Sequence, residues 1–343
     1  MKRWMLPVIA LLTSVAVVLS GCSGAGEADP DPSASDFRTI RIGKGISHES
    51  EVVAYLYAGV LSHAGYKTDV VDSPDSRTDY VNQMARGDEN SVDITPDYSG
   101  NLLLDLTDGG AENPQATATP TASESDASDP RASMTPSTTP TPRPAFNIHG
   151  MSSSDISSTL PKVLPEGVTT LNTATAENKD ALVVNQITAA KYKLSTIDDL
   201  AAHCKELKFG VPSGFKDKAY GSKGLQSLYG CEPGSYQEED DQEKLSDQLA
   251  DGSVGVADLF TASAAVKDNG YVVLEDPKAN FIAQQVVPVV RSKELPSPAK
   301  NAINDLSGKL GTGDLEFLNR LTTGDRPISA QDAARFWLKE NDS

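Results

Sequence analysis

Apolar positions alternate in short runs, then recur at helical spacing, and this switch repeats along the chain. Arg38 to Ile42 alternates as a strand, and the turn Gly43 to Ser47 follows. From Glu49 to His63, residues Val52, Val53, Leu56, Val60 and Leu61 share one helical face, and Gly65 is placed to end the helix. Lys67 to Val71 reads as a second strand, and Thr78 to Arg86 as a second helix closed by Gly87. In Ser91 to Asp105, Val92 and Ile94 open a third strand that Pro96 is expected to stop. Asp97 or Ser99 is then expected to cap a helix carrying Leu102, Leu103, Leu104 and Leu106. This alternation predicts an α/β fold with mostly parallel sheet covered by helices. A strand turning directly into a helix leaves its last residues at the carboxyl edge of the sheet, where open α/β folds bind ligands. Tyr98 is the ring at that edge.

The pattern breaks at 111–145, a stretch of Thr, Pro, Ala and Ser that cannot offset its ordering entropy and is expected to be a disordered insertion. It resumes with a helix over Ser154 to Val163, extended chain at Thr169 to Asn172, and a buried strand at Ala181 to Val184. Thr196 and Asp199 form a capping-box pattern. Leu207 to Val211 and Val254 to Phe260 read as strands, and Gly224 to Tyr229 as a helix ended by Gly230. The run Glu238 to Asp241 reads as the acidic first turn of a helix rather than a metal site. Val286 to Val290 is a further strand, and three helices, Pro298 to Leu310, Asp314 to Leu321 and Ser329 to Lys339, close the chain.

The first residues change the picture of where this fold resides. Lys2 and Arg3 precede an apolar run from Trp4 to Leu19, shorter than a bilayer span, and the site Leu19-Ser20-Gly21-Cys22 follows. This site resembles a bacterial lipobox, which implies a signal peptide over 1–21 and Cys22 as the lipid anchor; the alternative is a plain secretory signal. Residues 22–36 then read as a flexible tether. The net charge is −18, more negative still once Lys2 and Arg3 are removed. A chain so acidic is not a nucleic-acid binder, since phosphate recognition needs clustered Lys and Arg.

Candidate chemistry is sparse. Cys204 and Cys231 remain after Cys22; in an exported chain they are expected to form a disulfide, with two buried thiols as the alternative. The histidines His48, His63, His149 and His203 lack metal-site spacing, so no metal or cofactor is expected. Ser213 to Lys216 and Ser297 to Lys300 match a Ser-x-x-Lys pattern without its companion boxes, and no nucleophile elbow or phosphate loop is present. The sequence reads as a non-enzyme.

Taken together, the segments resemble the substrate-binding proteins of ABC importers for osmoprotectants such as glycine betaine, choline and carnitine. The resemblance rests on the strand-turn-helix at Ile40 to Leu61, on Asp93 to Gly100, and on Glu177 to Val184. It continues through Phe209 to Pro212, Gly224 to Gly230, Val254 to Thr261, Val273 to Asp276 and Val287 to Arg291. It implies a type II two-lobe periplasmic-binding-protein-like fold: lobe 1 over 37–182 and 288–343, lobe 2 over 183–287, with crossing strands near Val183 and Val287. It further implies a monomer that binds a small solute in the interlobe cleft and presents it to an ABC permease. Carried over position by position, Tyr98 falls on a cage tyrosine with Ser99 beside it, and Phe260 stands where tyrosine is usual. Asp180 replaces a cage tyrosine, Tyr220 and Ser263 stand at acidic positions, and Ser47 and His48 lie in a cleft-lining turn. The ligand set implied is Ser47, His48, Tyr98, Ser99, Asp180, Tyr220 and Phe260. An altered cage leaves room for another polar solute, or for an envelope sensor or scaffold on the same fold.

Overall fold

The structure, a computed structural model, describes residues 37–74, 76–88, 90–107, 150–324 and 326–341. The signal segment, Cys22, the tether and the insertion 111–145 lie outside the described residues, as does His149. The first lobe begins with β1 (Ile40–Gly43), α1 (His48–His63), β2 (Thr68–Val71), α2 (Arg77–Arg86), β3 (Ile94–Tyr98) and α3 (Ser99–Leu106). It continues with α4 (Ser153–Val163) and β4 (Val168–Thr170). The second lobe holds β5 (Asp180–Val184), α5 (Gln186–Tyr192), α6 (Ile197–Ala201), β6 (Lys208–Val211), α7 (Ser222–Gly224) and β7 (Ser235–Glu238). It ends with α8 (Gln242–Ala250), β8 (Val256–Phe260), α9 (Ala264–Asp268) and β9 (Val272–Val273). The chain then returns to the first lobe as β10 (Val286–Arg291), α10 (Ser297–Lys309), α11 (Thr312–Thr323) and α12 (Ala330–Asn341).

Each lobe is built on a five-stranded sheet, ordered β2-β1-β3-β10-β4 in the first and β7-β6-β8-β5-β9 in the second. The orders match: in both, the strand arriving from the other lobe inserts beside the third strand. The inserted strands β10 and β5 run antiparallel to their neighbours, while β1, β2 and β3, like β6, β7 and β8, are parallel. The sheets are therefore mixed rather than mostly parallel, because one strand in each comes from a chain returning in the opposite direction. The two passages meet at an antiparallel bridge between Glu177 and Gln285. Val183 pairs with Ala257 and Val273 inside the second sheet, and Val287 pairs with Asp97 inside the first. The passages thus lie a few residues before the positions expected from sequence, where polar Glu177, Asn178, Gln284 and Gln285 replace the apolar run.

Several local expectations change for identifiable reasons. Pro96 does not stop β3; it sits inside the strand opposite Pro288. The register of β1 with β3 is at Ile94, so the missing N–H of Pro96 breaks no ladder bond. Neither Asp97 nor Ser99 caps α3; Tyr98 occupies that position without a side-chain bond. The run Glu238 to Asp241 splits, Glu238 ending β7 and Asp241 capping α8 by accepting from the N–H groups of Glu243 and Lys244. Thr196 and Asp199 do form a capping box, and Gly87 closes α2 at φ 70°.

Helices α1, α10, α11 and α12 cover one face of the first sheet, burying Ile40, Leu56, Tyr57, Ile94, Ile303 and Trp337 in one cluster. A second cluster runs from the first lobe into the second, joining Tyr80, Leu102 and Leu103 to Leu182, Phe215 and Tyr220. Gly100 lets α3 seat against the passage: a Cβ there would lie 2.5 Å from the Ala283 carbonyl oxygen. Cys204 and Cys231 are joined as a disulfide, with Cα atoms 5.5 Å apart. Among the described residues no helix is long and apolar enough to cross a membrane.

Candidate functional site

The matching sheet orders bring the ends of two third strands to the space between the lobes. Tyr98 ends β3 and pairs with Val286; Phe260 ends β8 and pairs with Asp180. Each is thus the last strand residue before a helix or turn, facing the first residues of an inserted strand. Tyr98 is 6% exposed, and among the described residues its hydroxyl makes no hydrogen bond of normal geometry although Asn178 lies near. Burial pushes its phenol well up, and the negative charge of Glu49 adds to this. Asn178 links this ring to the second lobe, its Oδ1 accepting from the Ala262 N–H at 2.9 Å.

Asp180, Tyr220 and Phe260 form a second group. The Tyr220 hydroxyl lies near the Asp180 carboxylate and favours its charged form, and Gln284 Nε2 donates to Asp180 Oδ2 at 3.2 Å. Burial raises the Asp180 carboxyl to about 6, against the downward pull of Tyr220, Lys218 and Arg77. The Tyr220 ring itself packs between Phe215 at 6.0 Å and Phe281 at 5.4 Å, so its ring belongs to the core and only its hydroxyl faces the acid. The remaining expected residues are occupied locally. Ser47 caps α1, its Oγ accepting from Ser50 N at 3.1 Å. Ser99 Oγ accepts from Gln285 N at 3.1 Å, which fixes the passage. His48 is exposed at the start of α1.

A cleft of about 400 Å³ opens between the lobes, lined by Glu49 of α1, Gln242 and Ser246 of α8, Ser263, and Asn319 of α11 among others. Gln242 also shapes its wall, Oε1 accepting from Phe260 N at 3.0 Å. The lobes are bridged along this side by Arg320 to Asp268 at 2.5 Å and by Asn319 Nδ2 donating to Ala262 O at 3.0 Å. On the other side Lys218 of the second lobe lies 3.7 Å from Asp105 of the first. Asp180 also lines a smaller cavity of about 140 Å³ with Asp276 and Phe281.

Sequence reasoning missed a set of buried acids and their partners. Asp97 accepts from Arg77 Nε at 2.9 Å, from the Tyr80 hydroxyl at 2.5 Å and from Tyr98 N at 2.7 Å. Arg77 also donates to Asp105 at 3.0 Å. Asp258 lies two residues before Phe260 on β8, 1% exposed, and among the described residues neither of its carboxylate oxygens has a hydrogen-bond partner. The signal for both was present: an acid inside an apolar strand, Thr-Pro-Asp-Tyr and Val-Ala-Asp-Leu-Phe. Among the described residues no group of three or more metal-ligating side chains gathers.

Two α/β lobes of this strand order, joined by two antiparallel passages beside a cleft, define a type II binding-protein fold. Residues 38–340 match the family described as the substrate binding domain of the ABC-type glycine betaine transport system, and the chain belongs to it. That family consists of solute-binding proteins, not enzymes. Among solved structures, a glycine betaine/carnitine/choline ABC transporter protein superposes with a TM-score of 0.66 at 21% identity, over 88% of this chain and 98% of that one. A choline-binding protein in complex with choline gives 0.52 at 15% identity, with 89% of each chain covered. At such identities the likeness establishes the fold. The ergothioneine transport permease/ergothioneine binding protein EgtU of Helicobacter pylori (strain G27) is 28% identical over 145 residues. That stretch is 41% of this chain, which spans about a quarter (26%) of that curated relative.

Proposed function

We propose that the protein is the lipid-anchored, extracytoplasmic solute receptor of an ABC importer, and that it binds a quaternary amine in the cleft between its lobes. Tyr98 and Phe260 supply ring faces and Asp180 the counter-charge. Ser47, His48, Ser99 and Tyr220 shape and support the walls. A quaternary ammonium cannot donate hydrogen bonds, so ring faces are its natural partners, each contributing roughly 0.5–2 kcal/mol as desolvation increases. The observation that carries the reading is the equivalence of Tyr98 and Phe260, two aromatic residues ending the third strands of two matching sheets. The buried, unbonded Tyr98 hydroxyl supports it further.

In this reading, residues 37–176 with 286–341 move against residues 177–285 about the Glu177–Gln285 bridge. A bound solute holds the lobes closed, and a monomeric receptor delivers it to the permease from the membrane surface, tethered through Cys22. The test is a thermal-shift screen of the purified chain with glycine betaine, choline, carnitine and ergothioneine, and with amino acids as controls. A solute that binds only the folded state raises the melting temperature by mass action. We expect a shift with a quaternary amine, reduced at least about tenfold in apparent affinity by Tyr98→Ala. No shift with any of these solutes in folded, solute-free protein defeats the reading.

A further inference from the structure

Asp258 is a buried acid whose carboxylate finds no hydrogen-bond partner among the described residues. In the antiparallel register, Leu182 faces Asp258 and Asp180 faces Phe260, so these four side chains share one face of the second sheet. Asp258 therefore lies directly behind the Asp180–Phe260 pair, one step deeper from the cleft end of β8. Its main-chain carbonyl is held by Gln242 Nε2 at 3.5 Å, but both carboxylate oxygens are buried and unbonded. The Ala181 N–H is the nearby dipole that favours its charged form, without completing a hydrogen bond. A buried carboxylate without a donor is costly, and native folds ordinarily supply one. The charges acting around this pair are also unbalanced. Lys218 and Arg77 are the bases whose charge reaches Asp180, and both are engaged by other acids, Arg77 by Asp97 and Asp105 and Lys218 by Asp105.

We propose that Asp258, behind Asp180, is a specificity-determining group of the cleft, selecting a solute of net positive charge that brings its own hydrogen-bond donor over a zwitterion whose carboxylate would enter the same space. The inference rests on the solute-receptor reading above and names the class of solute within it: an amino-alcohol cation rather than a betaine. The physical reason is reciprocal. A hydroxyl or N–H donor on a cation supplies the partner that Asp258 lacks among the described residues and a positive charge for both acids, whereas a carboxylate meets two acids whose neighbouring bases Lys218 and Arg77 are held elsewhere. In the solute-free protein, burial and the charge of Asp180 hold the Asp258 carboxyl well above its ordinary range, which keeps the position tolerable until a cation arrives.

The experiment is isothermal titration of the full-length chain with choline and with glycine betaine, for wild type, Asp258→Asn and Asp180→Asn, each first shown to be folded by its melting transition. Wild type is expected to bind choline at least about tenfold more tightly than glycine betaine. Asp258→Asn is expected to weaken choline by about tenfold or more and to leave glycine betaine unchanged or tighter, closing the gap. Asp180→Asn keeps Asp258 and is expected to move the ratio the same way, which reads the pair even if Asp258→Asn does not fold. An unchanged choline-to-betaine ratio in the folded variants overturns the inference and leaves the receptor reading standing, as does a wild type that prefers glycine betaine. A wild type that binds neither solute overturns the inference, and the receptor reading then stands or falls on the wider thermal-shift screen.

Discussion

The two lobes repeat one strand plan but treat the acid near the end of their third strand in opposite ways. In the first lobe Asp97 is saturated by Arg77, Tyr80 and the Tyr98 N–H. In the second lobe Asp258, as deeply buried, has no partner for either oxygen among the described residues. Equivalent burial with opposite satisfaction separates two uses of a carboxylate. Asp97 is a strut that orients Tyr98 from behind and holds Arg77; Asp258 costs the fold stability and is explained by something that arrives from outside. A fold that had to satisfy only itself would have supplied a donor at β8 as it did at β3.

The comparison is broken most forcefully by removing the strut. Asp97→Asn takes the charge from a buried pair and leaves Arg77 with Asp105 alone, and is expected to cost about 3–5 kcal/mol in denaturant unfolding. The lobes differ next in covalent restraint, since the Cys204–Cys231 bridge lies wholly in the second. Replacing both cysteines by serine removes a cross-link of sequence separation 27. In the chain-entropy picture this costs about 3–4 kcal/mol, and protection against hydrogen exchange should fall mainly over β6, β7 and α6.

The smallest effect concerns Asp180, whose carboxyl is raised to about 6 by burial. Between about pH 4 and 6 the folded chain therefore holds a proton that the unfolded chain has released, and stability falls as pH rises through that window. Asp180→Asn removes the penalty: at pH 7.5 the solute-free variant should be more stable by on the order of 3 kcal/mol, and the gain should vanish below pH 4. A gain that persists at low pH would mean packing, not charge, was being read.

Much of this architecture was legible because apolar periodicity and turn residues acted in agreement. The helix read over Glu49 to His63 appears as α1, and Gly87 closes α2 in the left-handed conformation that glycine tolerates. What was not legible depends on partners distant in sequence. Pro96 looks like a terminator until β1 is seen to pair with β3 only at Ile94 and β10 to face it with Pro288. The inserted strands look like ordinary members of a parallel sheet, because direction is set by a chain returning from the other lobe. Short β7 and β9 carry too few buried positions to announce themselves. At the site, the positions of Tyr98 and Phe260 at strand ends follow from local pattern. The engagement of Ser47 and Ser99 in capping and in the passage does not, nor does the core packing of the Tyr220 ring, because hydrogen-bond partners such as Gln285 lie far along the chain.

The central claim is that Asp97 serves the fold and Asp258 serves the solute. The most direct measurement is denaturant unfolding of wild type, Asp97→Asn and Asp258→Asn, each with and without saturating choline. The account predicts that Asp97→Asn loses stability in both conditions. Asp258→Asn should match or exceed wild type without choline and lose only the increment that choline adds. If Asp258→Asn without solute is destabilised as much as Asp97→Asn, the two acids play the same structural part and the account is wrong.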